Sequence, residues 1–76
     1  MIVHIQLLGP YAKFGSRLEK GTLSLKKGAR VKDAVEVLQM PSQNIRLILV
    51  NGLWSDLSAE LSEGDSVKFF PPVGGG

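Results

Sequence analysis

Gly64-Asp65-Ser66-Val67-Lys68-Phe69-Phe70-Pro71-Pro72-Val73-Gly74-Gly75-Gly76 compresses a turn, a strand, a stop and a tail into the end of the chain. Gly64-Asp65 is turn chemistry. Ser66 to Phe70 then alternates, with Val67 and Phe69 on one face and Ser66, Lys68 and Phe70 on the other, which predicts a strand. Pro71 and Pro72 have no amide hydrogen to give a sheet and hold φ near an extended value, so they end that strand and stiffen the exit. The glycines that follow lack Cβ atoms, so Gly75 and Gly76 can thread a narrow channel. The expectation is a folded body over residues 1–73 and a flexible tail over 74–76, with the Gly76 carboxylate as the group offered for chemistry.

Working back from this stretch, the Ile45 to Val50 run is the most apolar strand. It is followed by Asn51-Gly52, a dipeptide suited to the φ > 0 positions of a tight hairpin, and by a short partner strand at Leu53-Trp54. Asp56 to Glu63 reads as a polar connection anchored by Leu57 and Leu61. Upstream, Val31, Ala34, Val35 and Leu38 fall at i, i+3, i+4 and i+7, a helix whose outer side carries Lys32, Asp33, Glu36 and Gln39 and which Pro41 stops. Met1 to Leu8 and Thr22 to Lys26 alternate as strands. Tyr11 to Lys20 has no clean period and is expected as a helical turn or loop. The order strand, strand, helix, strand, short strand, strand predicts an α+β layer structure, one mixed sheet with one helix packed across it.

Composition narrows the chemistry. A chain of 76 residues is one domain, burying only about 60% of the surface its unfolded form exposes. There is no cysteine, so disulfides, thiolate zinc sites and side-chain persulfides or thioesters are excluded. His4 is the single histidine and is read as a surface or interface residue, not as part of a metal cluster or a nucleophile pair. Asp33, Glu36, Asp56, Glu60, Glu63 and Asp65 sit at helix, loop and turn positions where acids are solvated, and no catalytic pair is expected among them. A net charge of +2 with nine basic and seven acidic residues is no nucleic-acid footprint. Lys26, Lys27, Arg30 and Lys32 read as a solvated face. No apolar run approaches a bilayer-spanning length, and a cytoplasmic location is expected.

The order of elements resembles the β-grasp, ubiquitin-like fold. Within it, Val50-Asn51-Gly52, Leu61, Gly64-Asp65, Val67, Phe69-Phe70-Pro71-Pro72-Val73 and Gly75-Gly76 resemble the MoaD/ThiS sulfur-carrier family, the molybdopterin synthase small subunits above all. Two positions depart from the family pattern: Gly74 replaces a slightly larger residue, and Arg30 stands where a threonine-like helix cap is usual. The resemblance implies a protein that is not itself an enzyme. A separate MoeB/ThiF-like adenylyltransferase would use ATP and magnesium to activate the Gly76 carboxylate, and a sulfur donor protein would convert it to a thiocarboxylate. A MoaE-like large subunit, or a thiazole synthase, would then take the sulfur, with molybdopterin favoured over thiazole. No cofactor, metal, nucleic acid or membrane is implied for this chain. The alternative is a ubiquitin-like modifier joined through Gly76 to target lysines. A plain interaction domain would leave the tail unexplained.

The partner-binding face is expected on the sheet side away from the helix. If Leu47 and Leu49 join Val3, Ile5, Val35, Leu38, Val67 and Phe69 in the core, Arg46 and Ile48 point outward with His4, Lys68 and Phe70, and Pro71, Pro72 and Val73 continue the surface toward Gly74, Gly75 and Gly76. The other readings are scattered surface apolars, or cover by Tyr11 to Lys20. Trp54 is expected as a lid on the core, the alternative being an interface anchor.

Overall fold

The computed structural model describes residues 1–43 and 45–72. Five strands, β1 (Ile2–Leu7), β2 (Thr22–Ser24), β3 (Leu47–Val50), β4 (Leu53–Ser55) and β5 (Ser66–Phe70), form one sheet in the order β2-β1-β5-β3-β4. β1 and β5 run parallel and the other pairs antiparallel. The helix α1 (Val31–Val37) crosses one face. This is the mixed sheet and single crossing helix that the β-grasp resemblance implies. The Tyr11–Lys20 region is a 3₁₀ segment over Gly9–Arg17.

One core holds the layers together. Val3, Ile5, Val67, Phe69 and Ile48 from the sheet meet Val31, Ala34, Val35 and Leu38 from the helix. Tyr11, Phe14, Leu18, Leu57 and Leu61 close the same cluster from the connecting segments. The 3₁₀ segment therefore packs on the helix side and does not cover the opposite face.

The start of α1 solves the problem posed by Arg30, whose side chain cannot accept a hydrogen bond. Asp33 Oδ2 accepts from the Arg30 amide at 2.7 Å, while the carbonyls of Ala59 and Leu57 accept from the Val31 and Lys32 amides at 2.9 Å each. Arg30 Nη1 donates to the Ser58 carbonyl at 2.6 Å. A neighbouring loop thus satisfies the amides that a side-chain cap would otherwise serve. At the other end Gln39 turns to φ 59. Met40 then donates to the Val35 carbonyl and Gln39 to that of Glu36, both at 3.0 Å, the paired bonds of a Schellman ending.

The register of β5 is pinned at its first residue. Asn51 and Gly52 both have positive φ, 53 and 82, as the hairpin between β3 and β4 requires. From that turn the Asn51 amide donates to the Ser66 carbonyl at 2.8 Å. Asn51 Oδ1 accepts from the Ser66 amide at 3.0 Å, and Asn51 Nδ2 donates to Asp65 Oδ1 at 2.9 Å. Hairpin and Gly64-Asp65 turn are thereby locked together, and β5 is delivered in fixed register to the middle of the sheet.

Candidate functional site

Two features make up the site: the point where the chain leaves β5, and the sheet face opposite α1. Val73, Gly74, Gly75 and Gly76 lie outside the described residues, as does the division expected between body and tail. Pro71 is half-buried and Pro72 exposed. Because β5 sits between β1 and β3, Pro71 and Pro72 follow a central strand of the sheet and not an edge strand.

The outward face is corrected along Arg46 to Val50. Ile48 is 1% exposed and lies in the core, paired across the sheet with Phe69, whereas Leu47 and Leu49 point outward and are half-buried. The strand is apolar on both faces, so alternation alone does not tell inside from outside, and the pairing decides it. Leu47 stands opposite Phe70 and Leu49 opposite Lys68. Both partners were expected outward, and the register carries Leu47 and Leu49 with them. Val50, on the same side of the strand as Ile48, is half-buried and packs against the core. Arg46 is exposed but lines a groove with Ile45, Ile48, Asp56, Leu57 and Ser58, apart from His4 and Lys68.

The expected face otherwise assembles. His4 is exposed opposite Ser66, and Gln6 lies opposite Lys68. His4, Gln6, Leu49, Asn51, Ser66 and Lys68 line one shallow groove. Toward the other end of β5, Phe70 meets Trp54 with ring centroids 6.0 Å apart. Trp54 is no core lid: it is 68% exposed, set opposite Leu49 on β4. The face thus combines an apolar strip of Leu47, Leu49, Trp54 and Phe70 with the basic or titratable groups Lys68 and His4, and carries no carboxylate on its strands. Trp54 was visible in the sequence as an alternative anchor. Leu47 and Leu49 were hidden by the ambiguity of β3.

Away from this face the charged groups are solvated. Among the described residues no polar or charged side chain is buried and no three metal-ligating side chains cluster. Asp56 is held below the ordinary carboxylate range, first by the Ser58 hydroxyl donating to Oδ1 at 2.6 Å, then by the Ser58 amide at 2.9 Å. That bond orders the loop whose carbonyls receive α1, which is a structural role. Among the described residues no helix is long and apolar enough to cross a membrane.

Residues 2–74 match the Mut7-C ubiquitin family. Among solved structures, a protein assigned as molybdopterin converting factor subunit 1 of Pyrococcus furiosus superposes with a TM-score of 0.74 at 25% identity, over 96% of this chain and 99% of that one. A Helicobacter pylori structure, the complex of subunits 1 and 2 of molybdopterin-converting factor, matches with a TM-score of 0.59 at 26% identity over 100% of both chains. Small archaeal modifier protein 1 of Haloferax volcanii shares the fold, with a TM-score of 0.67 at 20% identity over 95% of this chain and 98% of that one. Comparison with curated proteins gives no match. The fold is the β-grasp of the ubiquitin-like sulfur carriers and modifiers.

Proposed function

This chain belongs to the Mut7-C ubiquitin family, and from that membership we propose that it is a sulfur carrier, acting as co-substrate to other enzymes and not as a catalyst itself. The observation that carries the reading is the exit from β5: a strand fixed in mid-sheet meets Pro71-Pro72 and then three glycines, beside an apolar face. A rigid body with a thin terminal peptide suits delivery of a carboxylate into a partner's channel, where docking of the body raises the effective concentration of the tip.

The chemistry needs activation, because a carboxylate oxygen is a very poor leaving group. A Gly76 carboxylate oxygen attacks the α-phosphorus of ATP in an adenylyltransferase, and pyrophosphate leaves with magnesium assisting. Sulfur at the sulfide level then adds to the acyl carbon and expels AMP, leaving a thiocarboxylate. The thiocarboxylate sulfur then bonds to an electrophilic carbon of the acceptor as a leaving group departs, and water hydrolyses the acyl–sulfur bond, which leaves the sulfur on the acceptor and regenerates the Gly76 carboxylate. We assign molybdopterin-type dithiolene synthesis as the favoured destination because of the Phe69-Phe70-Pro71-Pro72-Val73 approach and the similarity to converting-factor subunits from two organisms. The partners are then an adenylyltransferase, a sulfur donor protein and a large synthase subunit, all cytoplasmic. Thiazole formation would use the same steps.

The partner face under this reading is the strip Leu47, Leu49, Trp54 and Phe70 with Lys68 and His4, continued by Pro71 and Pro72. Strands that carry no carboxylate on this face, with Lys68 among them, suit partners whose contact is apolar with an acidic rim. A modifier joined to lysine amines would use the same tail and the same adenylation, and the fold shared with small archaeal modifier protein 1 does not separate the two. The test is a chain lacking Gly75 and Gly76, or extended by one residue. Each should fold normally and fail to accept AMP or sulfur, whereas full function of either would end the tip-chemistry reading.

A further inference from the structure

The β1–β5 ladder ends just short of the tail. Its last pair is Leu7 with Phe69, and the Leu8 amide donates to the Phe69 carbonyl at 3.1 Å. Beyond Phe70 the chain can donate no further ladder hydrogen bond through Pro71 or Pro72, which have carbonyl acceptors but no amide hydrogen. One side-chain contact ties this exit to the far end of the chain. An ideal Cβ on Gly9 would stand 3.1 Å from Pro71 Cγ and 3.8 Å from Cδ. The Pro71 ring therefore rests in the space that a side chain at position 9 would fill.

Gly9 differs from the other positive-φ glycines. Gly21, Gly28, Gly52 and Gly64 have nothing within 4 Å of an added Cβ, so backbone conformation alone accounts for them. Gly9 has φ +56 and the ring contact together. We propose that Gly9 is a positioning residue for the tail: its bare Cα seats the Pro71 ring and sets the direction in which Pro72 and the residues beyond it leave the body. The inference rests on the carrier reading, in which Gly76 must reach a partner's reacting atoms. The five residues from Pro72 to Gly76 span at most about 17 Å, so a modest tilt at Pro71 displaces the tip by several ångströms. Pro72, with its restricted φ, passes that direction on.

The test is a double-mutant cycle with two readouts, the KM and kcat of adenylylation and the residual dipolar couplings of the Val73 amide. Gly9→Ala should raise KM about 5-fold with kcat within about twofold, since tail pre-organisation is lost and the chemistry is not. In a Pro71→Ala background the same change should alter KM less than about twofold, because the ring it strikes is gone. Gly28→Ala pays a comparable positive-φ strain with an open Cβ site, so it should leave KM and the couplings unchanged. Equal losses from Gly9→Ala in both backgrounds, or from Gly28→Ala, would overturn the inference. Should Gly9→Ala lose its fold, Pro71→Ala alone decides, since it must change the Val73 couplings while leaving the sheet amides as they are. If the wild-type chain accepts no AMP, the carrier reading falls, and the couplings still answer for Gly9.

Discussion

Trp54 and Phe70 face each other across β3, ring centroids 6.0 Å apart and planes tilted by 51°, with Leu47 and Leu49 on the strand between them. Nothing in the fold requires an indole there, since Trp54 is 68% exposed. An aromatic pair at the surface, close to where the chain leaves β5, is the composition that partner anchors have.

Trp54→Ala and Phe70→Ala should therefore separate stability from binding. Losing the pair costs about 0.5–1.5 kcal/mol of folding, whereas loss of a buried anchor weakens a complex by about 2 kcal/mol or more. Urea unfolding and titration calorimetry with the adenylyltransferase or synthase subunit measure the two. Equal partner affinity for both variants and wild type would remove this face from the partner surface.

The two sides of β3 should respond in opposite ways. Ile48→Ala opens a cavity beside Phe69 and should cost about 2–5 kcal/mol. Leu49→Ala, on the outward and half-buried side, should cost about 1 kcal/mol or less, in keeping with a surface change. Denaturant midpoints at constant slope give the comparison, and a larger loss from Leu49 would reverse the assigned faces.

This strand also marks where the sequence was legible. Ser66 to Phe70 alternates polar with apolar, so Phe69 inside and Phe70 outside followed directly from the residue types. The helix spacing from Val31 to Leu38, the Asn51-Gly52 hairpin and the order of strands were readable for the same reason, each being local chemistry with a distinct period or turn residue. Leu47-Ile48-Leu49-Val50 has no polar member to break the tie, and its faces depend on pairing with a strand almost twenty residues later. Trp54 is bulky and apolar, and only the position of β4 at the sheet edge shows that no element lies over it. Gly9 carries no local signal of its place beside Pro71, since that proximity joins opposite ends of the chain.

Asp56 gives a pH dependence of known sign. Its carboxyl titrates lower in the folded state than in the unfolded chain because Ser58 donates to it. The contribution is therefore present above the unfolded value, near pH 4, and is lost as pH falls through the lower folded value. Asp56→Asn should be less stable than wild type by a constant amount above about pH 5, with the gap closing below about pH 4. Unfolding free energies across that range supply the measurement, and a gap independent of pH would show that the Ser58 bonds do not favour the charged form.

Asn51→Ala should cost about 1–2 kcal/mol, since it removes two side-chain hydrogen bonds to the β5 turn and a residue tolerant of positive φ. Its informative signature is hydrogen exchange. Protection should fall at Ser66 and at the start of β4, while the amides of α1 change only with global stability. Uniform loss across the sheet and helix would mean that the Asn51–Asp65 lock does not specify the register of β5.

The central claim is that Gly76 carries sulfur, and intact-protein mass spectrometry tests it most directly. Incubated with an adenylyltransferase, ATP, magnesium and a sulfide-level donor, the chain should gain the mass difference between sulfur and oxygen. It should return to its starting mass when a synthase subunit and its precursor are added, with no protein-linked product. Isopeptide-linked targets that survive thiol treatment, with no thiocarboxylate formed in the presence of the sulfur donor, would contradict the carrier and establish a modifier.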